Sequence, residues 1–523
     1  MPLFLKVLSL AAHTIERCAA SKLCGRGRRA PPIIGTPTEW IKAGLCAASL
    51  LALIGCAVGP DFVRPTPPPV ERYTRDAEPE TTIPADGQAQ RFVREAGLPS
   101  DWWRLFNSST LNAVIEQAIA DNLDLQSSQA SLRRSQESLK AGYGVFVPQL
   151  DGGFDASRQK FSPARFGSST PSSIFNLYTL SGTVNYPLDL FGGERRALEN
   201  LNAQVDFQRD TVLAAYLTLT SNIVNTVIAR AAYVAEIKAL EEVIDAEKEQ
   251  VKIAQVQAQV GIIPYANALS LQSQLAATEA TLPPLRQKLT QTEHLLATLA
   301  GRSPAEWAPP DVDLADLALP GDLPVSLPSE LVRRRPDILA AEAQLHGASA
   351  SIGVATAALF PSITLNGAYG QNSNALNNLF NKTGNFWSLG ANLSTPLFHG
   401  GTLWFQRKAA IEGYRQSLAD YRQTVLNAFA QVADTLRALE HDAETLQAQS
   451  QALDASERAL RLIQANFKAG TAGYVQVLIA NDQYARARIG YLQARAQRFQ
   501  DTVALFVALG GGWWNAQKIA GGK

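Results

Sequence analysis

The chain has 523 residues, 46% of them hydrophobic and 18% charged, with 47 basic and 47 acidic side chains. It is long enough for several ordinary domains and apolar enough to bury a large core. The first 55 residues hold seven Lys or Arg and two Asp or Glu, so the rest carries 40 basic against 45 acidic residues, a net of −5. That balance excludes a nucleic-acid binder of the usual basic kind.

In chain order, the four cysteines come first: Cys18, Cys24, Cys46 and Cys56. Nothing after Cys56 can form a disulfide. Residues 43–55 (AGLCAASLLALIG) are an apolar run behind Lys42, long enough for a signal-peptide core and too short to span a bilayer. The run ends in Leu53-Ile54-Gly55-Cys56, which resembles the bacterial lipobox. In that motif the thiol takes diacylglycerol as a thioether, and small residues before it let the signal peptidase reach the bond. Residues 1–55 therefore read as a signal peptide, and Cys56 as the lipidated residue, carrying S-diacylglycerol and an N-palmitoyl chain. The run GRGRR at 25–29 makes the leader long, so a start codon assigned too far upstream stays open. Position 57 is Ala and not Asp, which by resemblance to other lipoproteins favours the outer membrane.

Residues 56–100 are proline-rich, with PTPPP at 65–69, and read as an extended tether. From Asp101 a helical apolar pattern (Leu111, Val114, Ile115, Ala118, Ile119) predicts a helix that can run to Val147, before Pro148. Strand-like alternation follows over 174–186, where Ile174, Tyr178, Leu180, Val184 and Tyr186 share one parity. From Gly192 to Gly261 there is no proline, which allows a helix of about 65 residues, roughly 100 Å long. Gly261, with Pro264 three residues on, is a stop and turn signal, and the chain should return as a second helix. Pro283-Pro284 should kink or break that return.

Residues 187–301 are then written again, at an offset of 209, in 396–510. Pro187 falls on Pro396, Gly261 and Tyr265 on Gly470 and Tyr474, and Gly301 on Gly510. Upstream the offset is 213, where Asp124 meets Asp337 and Pro148 meets Pro361. A tandem repeat of this kind is the primary fact about a fold. It divides the chain into a first copy at 101–301, a linker at 302–326, a second copy at 327–512 and a tail at 513–523. In the second copy Ile363, Leu365 and Tyr369, and then Trp387, Leu389, Ala391 and Leu393, alternate with small or polar residues. This pattern suits a membrane barrel, apolar outside and polar toward the lumen, and equally an ordinary half-buried sheet. Leu446, Leu453, Leu460 and Phe467 repeat every seven residues, and their copies are Ile237, Ile244, Val251 and Ala258. That spacing indicates coiled-coil packing. The mixed second seam (Leu240, Ile463, Glu247, Gln449, Ser456) suits helices around a wet channel, with a solid bundle as the alternative.

Two strands per copy give four per chain. Four strands cannot close a membrane barrel, which needs at least eight in a single chain, and open edges cannot face lipid. Several chains must therefore share one barrel, or these strands are not in a membrane.

The segment LPVSLPSELVRRRPDILAAEAQL at 323–345 closely resembles the linker-to-helix motif of the TolC-like outer membrane efflux proteins. So do ALFPSITLNGAYG at 358–370, GCAVGPDF at 55–62, DWWRLF at 101–106, NYPLDLFG at 185–192, YRQTVLNAFAQVAD at 421–434 and ALGGGW at 508–513. The lipoprotein start is similar to the NodT-type subgroup serving resistance-nodulation-division (RND) pumps. The resemblance implies a mainly α protomer with membrane strands, assembled as a homotrimer with a 12-stranded β-barrel and a 12-helix periplasmic tunnel. It also implies a passive duct in a Gram-negative outer membrane, fed by an inner-membrane RND pump through a periplasmic adaptor. Outer membrane lipids are then its surroundings, nucleic acid is no partner, and no cofactor beyond the covalent lipid is expected.

On that resemblance the periplasmic tip and gate comprise Gly261, Pro264, Tyr265 and Asn267 in the first copy. In the second they are Gly470, Gly473, Tyr474, Gln476, Ile479 and Asp482. Family members often carry an aspartate ring at the entrance. Here the equivalent positions are Asn267 and Ile479, which implies an amide or apolar constriction that binds cations weakly.

No catalytic constellation is visible. His13, His294, His346, His399 and His441 are scattered, and HExxH, CxxC and GxSxG are all missing. Arg333, Arg334 and Arg335 read as a helix-start ion-pair cluster. Met1 is the single methionine, which excludes a thioether copper site. The alternatives to an efflux duct are the same fold in type I protein or peptide secretion, and a structural envelope lipoprotein. Intact mass of the membrane-extracted protein should show a chain that starts at Cys56 and carries acyl groups, and an unmodified Cys56 behind a retained leader would contradict the lipobox reading.

Overall fold

The computed structural model describes residues 57–76, 80–94, 97–162, 167 and 171–515. Cys56 and the leader before it lie outside the described residues. The extended N-terminal segment is tied into the body at its end. Strand β1 (Arg91–Arg94) pairs in parallel with β4 (Asp322–Val325), with Arg91 opposite Asp322. Tether and linker, which the sequence reads only as irregular connectors, thus share a small sheet.

The single helix expected from Asp101 to Val147 is instead a 3-10 turn (Trp102–Phe106) and two α-helices, α1 (Ser109–Asp121) and α2 (Leu123–Gly142). Asn122 makes the break. Its ψ of 125° is not helical, its side chain accepts from the Leu125 N–H at 2.9 Å, and its amide donates to the Leu299 carbonyl at 3.0 Å. The long-range bond to Leu299 is what overrides the local apolar period, and sequence pattern cannot show it.

The proline-free stretches become α3 (Gly193–Gln259) and α8 (Thr402–Lys468), each 67 residues, hence about 100 Å long. After the first tip the chain returns as α4 (Tyr265–Glu279) and α5 (Leu282–Leu299), broken where Pro283 and Pro284 enter. Proline lacks the N–H that a helix interior uses but fits the first turn, where none is needed. After the second tip α9 (Tyr474–Ala508) runs unbroken for 35 residues. The heptad positions behave as a seam: Ile244, Val251, Leu446 and Leu460 are buried, and Ile237, Ala258, Leu453 and Phe467 are half-buried.

Strands β2 (Gln149–Phe161), β3 (Ser173–Leu188), β5 (Ser362–Ser373) and β6 (Asn385–Ser394) form one antiparallel sheet in the order β2–β3–β5–β6. The alternating runs at 174–186, 363–369 and 387–393 lie inside β3, β5 and β6. The fourth strand, β2, is counted by the repeat but hard to locate from pattern, because Gly152, Gly153, Arg158 and Lys160 interrupt its alternation. The helices keep the same row. Helix α2 lies beside α3, α3 beside α7 (Pro336–Ala357), and α7 beside α8. A short helix, α6 (Pro328–Arg334), precedes α7.

The main core sits partway along the long helices, not at the sheet. Phe106 packs edge to face on Trp102 and Phe506 there, among Ile223, Ile228, Leu323, Leu345 and Val432. The window of α3 that is apolar enough to cross a membrane is half buried inside the fold, and Ile223, Val224, Val227 and Ile228 belong to this core. Buried arginines lock the surrounding connectors. Arg498, 1% exposed, donates to Gln90 Oε1 (3.0 Å), the Ala85 carbonyl (3.2 Å) and the Gln88 carbonyl (3.1 Å). Gln90 in turn donates to the Pro320 carbonyl at 3.1 Å. Arg335 bridges Asp337 and the carbonyls of Ala428 and Ala508, and Arg334 pairs with Glu330 at 3.0 Å, so these two serve the structure.

Next to Arg498, Asp442 of α8 faces Asp501 of α9. Burial, with the Asp501 carboxyl adding to it, pushes Asp442 up to about 8, and the Arg498 charge offsets only part. An acid whose folded pKa lies above its unfolded value loses folding stability as pH rises from the ordinary carboxylate range through the folded pKa. The wild-type melting temperature in detergent should therefore decline between roughly pH 4 and pH 8, and Asp442→Asn should flatten that slope.

Candidate functional site: a two-faced sheet and paired helical tips

The strand registers sort every side chain onto one of two faces. Phe154 stands opposite Leu180, Tyr186 opposite Leu365, Leu188 opposite Ile363, Tyr369 opposite Trp387, and Gly367 opposite Leu389. Leu150, Val184, Ala391 and Leu393 share that apolar face. The other face holds Asp151, Asp155, Thr179, Ser181, Thr183, Asn185, Thr364, Asn366, Asn372, Ser388 and Asn392. The apolar face is not a core. Leu389 is 85% exposed, Trp387 75% and Leu150 74%. An apolar patch this large marks contact with another protein or with lipid. Its span from Tyr178 to Leu188 is about 35 Å of strand, which at a barrel's tilt covers roughly 25 Å, the height of a membrane band. Beyond Tyr178 the same face turns polar, with Arg158 opposite Asn176 and Lys160 opposite Ile174. Among the described residues, both outer strands, β2 and β6, leave one edge unpaired.

The tips lie at the far ends of α3 and α8. Gly261 and Gly470 adopt left-handed φ of 80° and 76°, the conformation that closes a helix C-terminus and that side chains resist. The Ile262 N–H reaches the Gln257 carbonyl at 2.8 Å, and the Thr471 N–H reaches Asn466 at 2.9 Å, so both turns cap alike. Pro264 and Gly473 then stand just before α4 and α9, and Gln476 Oε1 accepts from the Gly473 N–H at 3.3 Å. Tyr474 and Leu478 pack on a cluster of Val251, Ala254, Ala268 and Leu271, which brings the start of α9 onto the first tip. Tyr265 and Ile479 stay exposed, and Asn267 is half-buried.

Gln476 is used in the cap, Tyr474 in packing, and Asp482 in an ion pair with Arg486 at 2.9 Å. Residues the sequence reading missed tie α9 to α3 deeper down. Asn481 donates to Gln250 Oε1 at 2.7 Å, and Arg488 pairs with Glu242 at 2.6 Å while donating to the Tyr484 hydroxyl at 2.8 Å. Burial pushes the nearby Glu247 carboxyl above its ordinary range, and a bond from Thr278 offsets part of this. Polar Glu247 at the mixed seam was the available signal, but partners across two copies cannot be paired by pattern. Among the described residues, no group of three or more His, Cys, Asp or Glu is placed to hold a metal ion.

The sequence profile of the outer membrane efflux proteins matches residues 114–302 and 327–511. The chain belongs to the outer membrane efflux protein family. It is 30% identical over 420 residues to the pyoverdine export outer membrane protein OpmQ of Pseudomonas aeruginosa, covering 79% of this chain and 87% of that one. It is 28% identical over 500 residues to the toluene efflux pump outer membrane protein TtgF of Pseudomonas putida, covering 90% and 97%. The solved outer-membrane channel OprN matches with a TM-score of 0.79 at 27% identity, over 88% of this chain and all of that one. The open-state MtrE channel of Neisseria gonorrhoeae matches with a TM-score of 0.74 at 25% identity, over 88% and 99%. The fold is thus that of the TolC-like channels, and the family's role is efflux across the outer membrane.

The two tip residues should separate in mutagenesis. Tyr474→Ala removes packing between the tips and should lower their local stability by about 1–3 kcal/mol. Asp482→Ala breaks an exposed i,i+4 pair and should cost at most about 0.5 kcal/mol. Hydrogen exchange of the 261–275 amides, accelerated in the first variant and unchanged in the second, checks both.

Proposed function

We propose that three copies of this chain form one exit duct of a tripartite RND-type efflux system. The observation that carries the reading is the two-faced sheet with both edges open. A membrane strand cannot leave its N–H and C=O groups bare in hydrocarbon, so β6 of one copy pairs with β2 of another. Three copies give twelve strands, apolar toward lipid and polar toward the lumen. The row α2–α3–α7–α8 continues below each four-stranded segment and closes with it into a periplasmic tube. No step is catalysed; cargo moves down its gradient once the pump has loaded it.

Cys56, acylated, holds the N-terminus at the outer membrane, and the tether leads from it to the body. The tips at Gly261–Tyr265 and Gly470–Tyr474 form the periplasmic entrance and meet the adaptor. With Asn267 and Ile479 near it, the entrance is amide and apolar rather than acidic. The cargo class is small organic molecules. Its support is that the named relatives export pyoverdine and toluene, which favours efflux over the type I secretion alternative.

Purified protein should run in mild detergent as a trimer by light scattering and give stepwise conductance in planar bilayers. Asn267→Asp with Ile479→Asp should raise cation selectivity. A monodisperse monomer without conductance would overturn the reading.

A further inference from the structure

We propose that a pocket between the N-terminal tether and α8 receives Leu123 of a second copy, which makes the tether a structural part of the seam between protomers. This rests on the assembly proposed above and goes on to say what the seam is made of. The pocket holds about 590 Å³ and is lined by tether residues Val63, Arg64 and Pro65 and by one face of α8, including Tyr414, Leu418 and Leu426. No other helix lines it, so its open side looks past the end of the row α2–α3–α7–α8.

The tether wall is fixed in place. Phe62 stacks on His346 at 4.4 Å, and Arg64 pairs with Glu342 at 2.6 Å. The pocket is thus a formed cavity rather than a gap under a loose strand.

The occupant follows from the sheet. If β6 pairs with β2 of a second copy, then α8, which leaves β6, lies beside α2 of that copy, which enters β2. The two helices can be matched by depth at 1.5 Å per residue. The lining at 414–426 lies about 18–36 Å below the start of α8 at Thr402. Leu123 lies about 28 Å below the sheet end of α2 at Gly142, within that interval. In the single chain Leu123 is 68% exposed, an apolar side chain at a helix start with nothing to cover it.

Charge agrees with shape. Arg422, on the pocket rim about 30 Å down α8, and Asp124, next to Leu123 and about 27 Å down α2, stand at matching depths. Both are exposed and make no ion pair among the described residues. Opposite charges at one depth on facing helices fix which copy meets which, and in which register.

Disulfide cross-linking in membranes tests this on the full-length protein. One variant carries Leu123→Cys with Leu418→Cys. A companion set carries Leu393→Cys on β6 with a cysteine at Gln149, Leu150, Asp151 or Gly152 on β2. Each single-cysteine variant serves as its control. The expected result is oxidant-dependent dimers and trimers from the first variant and from one member of the companion set. Adding Arg422→Glu to the first variant should lower the cross-linked fraction several-fold, and adding Asp124→Arg as well should restore it. Cross-links at the sheet edge without any at 123–418 would overturn the seam while leaving the trimer standing. Cross-links at neither place would overturn the assembly itself.

Discussion

The unpaired edges of β2 and β6 are the constraint on which the rest of this structure depends. In water an open edge costs little, because solvent bonds to it. In hydrocarbon each bare N–H or C=O costs several kcal/mol. The apolar face carrying Trp387, Leu389 and Leu393 asks for hydrocarbon, and the edges forbid it unless they are paired. Joining copies edge to edge satisfies both. In the proposed trimer the helices follow the strands in one row, so closing the barrel would also close the tube beneath it, and one set of backbone hydrogen bonds would set the architecture at both levels.

The tandem copies share this geometry but not its details, and the differences mark what each copy does. The long helices match at 67 residues each. The return helices do not, because Pro283 and Pro284 break the first and nothing breaks the second. At the junction of sheet and helix, the first copy has a buried Arg196 that holds Asp61 at 2.6 Å and Glu199 at 2.7 Å, with Val58 bonded to the Phe191 carbonyl. The equivalent residue of the second copy, at the same offset of 209, is the exposed Phe405. The stretch Val58–Asp61 therefore docks at the sheet–helix junction of the first copy and not at that of the second. The N-terminal segment lies along the body from there, and the long helix of the first copy, α3, is an inner member of the row while that of the second, α8, is an edge.

Rigidity is concentrated partway along the helices and tapers toward the tips. The body has the aromatic core around Trp102 and Phe506 and the buried Arg335 and Arg498, whose bonds to backbone carbonyls hold connectors from distant parts of the chain. The tips have a smaller cluster around Val251 and Leu271, with exposed Ile262, Tyr265 and Val475 beyond it. Fewer buried contacts mean lower local stability at the tips.

The sequence by itself determined the elements and the family. Period-two alternation in 363–369 and 387–393, the proline-free runs, the sevenfold seam at Leu446 and Leu460 and the stop signals at Gly261 and Gly470 are local, so pattern reveals them. Composition also made Pro283-Pro284 a break. Only the tertiary structure decided the rest. Asn122 ends α1 because its amide meets the Leu299 carbonyl, β2 exists because β3 offers it a partner, and Arg498 is buried because Ala85, Gln88 and Gln90 surround it. The partners of Tyr474 and Asp482 at the tip were likewise beyond reach. Each of these turns on a bond between residues far apart in the chain, or on which of several near neighbours a side chain selects, and periodicity carries no record of either.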